Sequence, residues 1–90
     1  MELVLLRTLV AVHDAGSFTD AAARLCVTQS AVSRRIRQLE EYYGLPLLER
    51  GSESVAATPA GRLLVDKARE ILEIERQLED NVAAHKLRDR

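Results

Sequence analysis

Apolar residues recur along this chain at three- and four-residue spacing in four stretches separated by polar or glycine-bearing breaks, which predicts a mainly α fold. The first helix runs from residue 2 to about 15, with Leu3, Leu6, Leu9 or Val10, and His13 at helical spacing. Asp14-Ala15-Gly16 ends it, since glycine accepts the left-handed conformation that closes a helix. Ser17-Phe18-Thr19-Asp20 reads as a capping box, the serine oxygen meeting a free N–H and the aspartate reaching back, so a second helix begins at Ser17 or Phe18. Ala21, Ala22, Ala23 and Leu25 follow within two turns, and small side chains let another helix cross at close range.

Leu25 to Val27 turns the chain without glycine or proline, and Thr28 is placed to cap a third helix over Thr28 to Tyr43. Val32, Ile36, Leu39 and Tyr43 share one face of it, and a second face carries Ser33, Arg34 and Arg37. Two helices joined by a tight corner have the organisation of a helix-turn-helix. The cap leaves N–H groups near Gln29 and Ser30 available to an anion. Three arginines and no acid lie between Thr28 and Arg37, a basic island that suits a polyanion, although an arginine-laced face is also ordinary solvent surface.

Gly44-Leu45-Pro46 stops the third helix, and Leu47-Leu48 supplies another apolar anchor. Arg50 to Thr58 reads as a two-strand wing, with a turn near Gly51 to Ser54 and a strand near Val55 to Ala57, or as plain loop. Thr58-Pro59 starts a last helix reaching about Leu87, with Leu64, Ala68, Ile71, Glu75, Leu78 and Val82 in alternating steps and Leu72 and Ile74 widening the stripe. A run of about 28 residues extends roughly 42 Å, too long for so small a domain to cover. The helix is therefore expected to pack against its counterpart in a second subunit, and Glu75 in the seam argues for a short or interrupted contact over a continuous zipper. The acids and bases from Glu70 to Glu79 are expected to face water.

Composition narrows the function. With 90 residues, 47% hydrophobic and 30% charged, the chain is one soluble domain at most, and its modest core suits reliance on a partner. Thirteen basic against 14 acidic side chains give a net charge of -1, so any nucleic-acid binding must come from local arrangement. Cys26 is the single cysteine, read as a small core residue between Leu25 and Val27, and a reducing cytoplasm is the simpler location. Arg7 and Glu2 argue against an export signal, and no stretch approaches the roughly 20 apolar residues of a membrane span. His13 and His85 lack metal-ligand spacing, and neither paired carboxylates nor a phosphate-binding glycine loop is present, so no enzyme and no metal, nucleotide or organic cofactor is implied.

The segment from Leu6 through Leu64 closely resembles the amino-terminal DNA-binding domain of LysR-type bacterial transcriptional regulators. Gly16-Ser17-Phe18-Thr19 with Ala21-Ala22 and Leu25, Thr28 to Ser33 with Ile36, Leu39-Glu40 and Gly44, then Leu47, Arg50 and Thr58-Pro59-Ala60-Gly61 fall at the family's spacing. The resemblance implies a winged helix-turn-helix DNA-binding domain over 1–58 and a long dimerisation or linker helix over 59–90 whose end can fray. It implies that Gln29, Ser30, Ser33 and Arg34 contact bases and that Thr28, Arg37 and Arg50 contact phosphate. The side-chain chemistry agrees: glutamine offers donor and acceptor to adenine, arginine fits guanine bidentately, and hydroxyls hold phosphate.

The chain departs from the family's pattern at Ser30, where proline is common, and at Leu9 and Leu48, which stand for core aromatics. Glu53 and Ser54 lie in a wing that is usually basic, and Ala57 replaces leucine. The implied partners are double-stranded DNA carrying an imperfect inverted repeat and a second copy of the chain. A small-molecule effector is implied only with the effector-binding region that follows the long helix in full members, so the chain reads as a fragment or an unusually short regulator. The competing reading from periodicity and charge alone is a small helical oligomerisation or protein-interaction module.

Overall fold

The computed structural model describes residues 1–51 and 54–89; Ser52 and Glu53, at the expected wing turn, and Arg90 lie outside it. Helix α1 spans Leu3–Ala15 and ends at Gly16, which takes φ 70° and donates its N–H to the Val12 carbonyl at 2.8 Å. Leu6, Leu9 and Val12 are buried, and His13 and Val10 are only half-buried. Thr8 joins the buried face because its hydroxyl donates to the Val4 carbonyl at 2.7 Å and so is satisfied inside the core.

Helix α2 spans Phe18–Leu25, and Ser17 caps it by accepting from the Asp20 N–H at 3.0 Å. Ala21 and Ala22 are buried where α1 and α3 crowd in, whereas Ala23 faces out. The corner that follows corrects one expectation: Cys26 is exposed and not a core residue. Without glycine in the turn, Cys26 itself adopts the left-handed conformation, φ 57° and ψ 41°, and its side chain turns out of the core. The Val27 N–H donates to the Ala22 carbonyl at 3.0 Å and Cys26 to Ala23 at 3.2 Å, a double closure of the helix end.

Helix α3 spans Gln29–Tyr43 and closes at Gly44, φ 69°. Val32, Ile36 and Leu39 are fully buried, but Tyr43 departs from the expected apolar face at 41% exposure, because the last turn of α3 runs past the body. Its hydroxyl reaches the Met1 sulfur at 3.6 Å, and its ring meets Tyr42 edge-on. Strands β1, Leu48–Arg50, and β2, Val55–Ala57, form an antiparallel pair with Leu48 opposite Ala57 and Arg50 opposite Val55. Leu9 and Leu48 are both buried, so leucine fills these core positions.

Helix α4, Pro59–Arg88, is capped by Thr58, which accepts from the Gly61 N–H at 3.0 Å and donates to the Pro46 carbonyl at 2.8 Å. Its 30 residues extend about 45 Å at 1.5 Å each, and every described residue from Arg76 onward is exposed. The apolar pattern of α4 resolves into two stripes, not one. Gly61, Val65 and Ala68 are buried against the body with Leu64, Leu72 and Glu75 half-buried, whereas Ile71, Leu78 and Val82 are exposed roughly a quarter turn around the helix and Ile74 and Leu63 further round toward its far face.

Glu75 is thereby relocated: it pairs with Arg7 of α1 within the same chain. A second pair joins the two helices, Arg69 to Asp14 with oxygens at 2.5 and 3.1 Å. The remaining charges, Glu73 with Arg76 and Arg76 with Asp80, lie along the solvent face as expected. No described helix is long and apolar enough to cross a membrane.

Two outcomes follow from this packing. A Cβ at position 61 would stand 2.0 Å from the Leu47 carbonyl oxygen, a backbone atom that cannot swing away. Gly61→Ala should therefore cost about 2 kcal/mol or more, read as a fall of about 10 °C or more in the thermal midpoint by circular dichroism. The Arg69 guanidinium bonded to Asp14 holds that carboxyl below its ordinary range, so its contribution is present above the unfolded carboxylate pKa and is lost as pH falls through the lowered value. Asp14→Asn should cost about 0.5 kcal/mol at neutral pH, since both partners are solvent-screened. In denaturant melts across pH, the gap between the two proteins should close on the acid side.

Candidate nucleic-acid interface

The docked face of α3 decides what its opposite face can do. With Val32, Ile36 and Leu39 held in the core, helical geometry turns Gln29, Ser30, Ser33, Arg34 and Arg37 outward, within an arc of roughly 140°. These residues line one open concavity along the helix. Gln29, Ser30, Arg34 and Arg37 are exposed and Ser33 is half-buried, so donors and acceptors are already in solvent and no core group must be uncovered to use them.

Thr28 stands at the head of this edge. Its side-chain oxygen accepts from the Ala31 N–H at 3.1 Å, fixing the first turn and leaving its hydroxyl hydrogen free to donate outward. The remaining first-turn N–H groups of α3 lack helical partners and point toward the same end, where the helix dipole favours negative charge. An anion arriving here meets these amides, the Thr28 hydroxyl and, further along the groove, Arg34 and Arg37.

Arg35 goes elsewhere. It projects toward α1, where Nη1 donates to the Thr8 oxygen at 3.4 Å, so the basic island divides into two groove arginines and one that braces the body. This separation was legible in the helical phase, which places Arg35 between the apolar face and solvent.

Arg50 does not line the α3 groove. It lies on β1 over the Phe18 ring, 4.7 Å from the centroid. A second concavity, lined by Ser17, Phe18, Thr19, Gln29, Arg50, Gly51, Ser54 and Val55, shares Gln29 with the first, so the wing and the start of α3 form one continuous surface. The part played by Ser17, Phe18 and Thr19 at this junction was not foreseen; the capping box located the helix start, but nothing local to it signals what the wing brings across.

The later half of α3 is used for anchorage. Glu40 accepts from the Leu47 N–H at 2.8 Å and the Leu48 N–H at 3.5 Å, fixing the chain as it enters β1 and so fixing the angle between recognition edge and wing. Its carboxylate is thus engaged by the backbone of the strand entry, while Glu40 and Glu41 border a shallow concavity that also takes in Arg37.

Comparison with known proteins places this geometry. Residues 3–62 match the family described as bacterial regulatory helix-turn-helix protein, lysR family. The HTH-type transcriptional regulator BenM of Acinetobacter baylyi is 49% identical over 72 residues, 80% of this chain and 24% of that protein. MetR of Haemophilus influenzae, also an HTH-type transcriptional regulator, is 45% identical over 67 residues, 74% of this chain and 22% of that protein. The chain therefore spans about a quarter of the length of these relatives.

Among solved structures, the BenM DNA-binding domain in complex with catB site 1 DNA superposes with a TM-score of 0.89 at 43% identity, covering 93% of each chain. The CbnR DNA-binding domain in its DNA complex gives 0.88 at 36% identity, covering 94% of this chain and 98% of that one. Fold, motif order and extent of match agree: the chain belongs to the LysR family of bacterial regulatory helix-turn-helix proteins.

Proposed function

We propose that this chain binds duplex DNA sequence-specifically, as the DNA-binding part of a LysR-type transcriptional regulator, by inserting the exposed edge of α3 into a major groove. The observation that carries the reading is the open groove formed by Gln29, Ser30, Ser33, Arg34 and Arg37 on the face of α3 opposite its buried side. Two domains of the same fold were solved on DNA, and the relatives reported above are named transcriptional regulators, which supports a reader and not a catalyst.

In this reading Gln29 and Arg34 meet base edges, with Ser30 and Ser33 as short donors or acceptors beside them. Thr28, Arg37 and Arg50 hold phosphates and set the register. The net charge of -1 assigns attraction to these local cations and not to the global field. Residues 1–58 act as the reading unit and 59–90 as the arm, whose first turns also complete the body's core through Gly61, Val65 and Ala68.

The exposed stripe of Leu63, Ile71, Ile74, Leu78 and Val82 supports pairing of α4 with a second copy. Such a dimer would present two reading edges to an imperfect inverted repeat, with half-sites about 34 to 36 Å apart or at a multiple of that spacing. A small-molecule effector would act only through an additional effector-binding domain.

Selection from a random duplex library followed by footprinting tests the central reading: an enriched imperfect inverted repeat with two protected half-sites is expected, and equal protection of unrelated duplexes overturns specific binding. Gln29→Ala and Arg34→Ala should each cost about 1 to 3 kcal/mol at particular base pairs in a binding matrix, while Arg37→Ala should weaken all sequences alike and reduce the salt slope by about 0.9. The pairing of α4 is tested at side chains outside the core. Ile74 and Leu78 are 65% and 58% exposed, so Ile74→Glu with Leu78→Glu should leave the thermal midpoint of the body nearly unchanged while sedimentation shifts to monomer.

A further inference from the structure

The wing segment from Leu47 to Ala57 contains one basic residue, Arg50, against Glu49 and Glu53. Any electrostatic grip the wing exerts on a polyanion therefore rests on a single guanidinium. Where that group sits is controlled by more than its own strand. Its carbon lies 4.7 Å from the centroid of the Phe18 ring, within the range in which a cation is attracted by the negative face of an aromatic. Phe18 is itself half-buried and packed against the hydrophobic core, so the ring has a fixed seat and presents a platform.

The backbone fixes the same relation independently. Arg50 stands opposite Val55 in the strand pair, and the Val55 N–H donates to the Gly16 carbonyl at 3.1 Å. Gly16 precedes Phe18 by two residues, so strand pairing, corner hydrogen bond and ring stacking close a small circuit around the guanidinium. No ion pair among the described residues uses Arg50, and its side chain is exposed.

We propose that Phe18 is a positioning residue for DNA binding: its ring holds the Arg50 guanidinium in place for a backbone phosphate beside the groove read by α3. The inference rests on the DNA-binding role proposed above and adds a residue that acts through Arg50. An unheld arginine must surrender its rotamer freedom each time it meets a phosphate, whereas one stacked on a seated ring has surrendered much of it on folding. The arrangement matters more in this chain than in one with a basic wing, because no second wing cation can replace a misplaced Arg50.

The test is a double-mutant cycle on the 90-residue chain, using anisotropy of a labelled duplex of arbitrary sequence across a potassium chloride series, since a phosphate contact is indifferent to sequence. Arg50→Ala should reduce the salt slope by about 0.9. Phe18→Leu should weaken binding by about 2- to 5-fold in the parent background, the range of a solvent-accessible cation–π contact, and have no further effect on top of Arg50→Ala. Phe18→Tyr, which keeps the ring, should bind like the parent.

Proton NMR gives a readout that simple packing would not move: Arg50 side-chain protons should be shifted upfield by the ring in the parent and in Phe18→Tyr, and not in Phe18→Leu. Should Phe18→Leu melt early, Phe18→Met supplies the same cycle. Equal losses from Phe18→Leu in both backgrounds, or failure of Phe18→Tyr to restore binding, overturn the positioning role. Parent-like affinity and slope in Arg50→Ala overturn the Arg50 contact, and absence of duplex binding by the parent chain overturns the DNA-binding reading, so the three failures are distinct.

Discussion

The close approach of α4 to the start of the wing is the contact on which the rest of the molecule depends. Gly61, with no side chain, lets the first turn of α4 lie directly against the Leu47 carbonyl, which also accepts the Thr58 N–H at 3.0 Å. The Leu47 N–H is held from the other side by the Glu40 carboxylate at 2.8 Å. One peptide segment is thus gripped by the recognition helix and by the long helix, and the strand pair hangs from it. The close approach at Gly61 is between backbone atoms that have no alternative rotamers, and the Glu40 and Thr58 side chains hold the segment on either side of it.

From that junction the display of the polar edge follows. Val32, Ile36 and Leu39 cannot leave the core without undoing the seats of Leu9, Val12 and Leu47, and their burial turns Gln29, Ser33, Arg34 and Arg37 to solvent. Apart from Thr28, which caps α3, the side chains that would read DNA lie outside the core, and the core side chains are absent from the reading edge. Specificity can therefore vary through exposed positions while the scaffold stays fixed. The cost of this arrangement is a helix of 30 residues that the body covers only at its start, leaving a second apolar stripe in solvent.

Helix boundaries and caps were legible because they are local. Gly16 and Gly44 take the left-handed conformations that end helices, and Ser17, Thr28 and Thr58 accept from backbone N–H groups three residues on, as their residue types and spacing predict. Strand β2 was readable from Val55 to Ala57, whereas β1 starts at Leu48, inside the stretch read only as an apolar anchor, two residues before the expected wing. Cys26 was misplaced because hydrophobicity says nothing of backbone handedness: a corner lacking glycine forces some residue into the left-handed region, and that residue points outward. Glu75 was misplaced because periodicity on a single helix cannot tell which of two adjacent stripes meets α1; only Arg7, 68 residues away in sequence, resolves it. That Ser33, Arg34 and Arg37 share an outward face of α3 was visible from helical phase, whereas the stacking of Arg50 on Phe18 depends on a tertiary crossing that no local pattern encodes.

The central claim is that the edge from Thr28 to Arg37 enters a duplex groove while the opposite face of the same helix stays docked. Backbone amide NMR of the chain titrated with a duplex enriched from a random library tests it most directly, read together with hydrogen exchange in the bound state. The account predicts shifts concentrated at Thr28 to Arg37 and at Arg50, with the Val32, Ile36 and Leu39 amides remaining as protected as in the free chain. Shifts confined to α4, or loss of protection at Val32, Ile36 and Leu39 on binding, would contradict it.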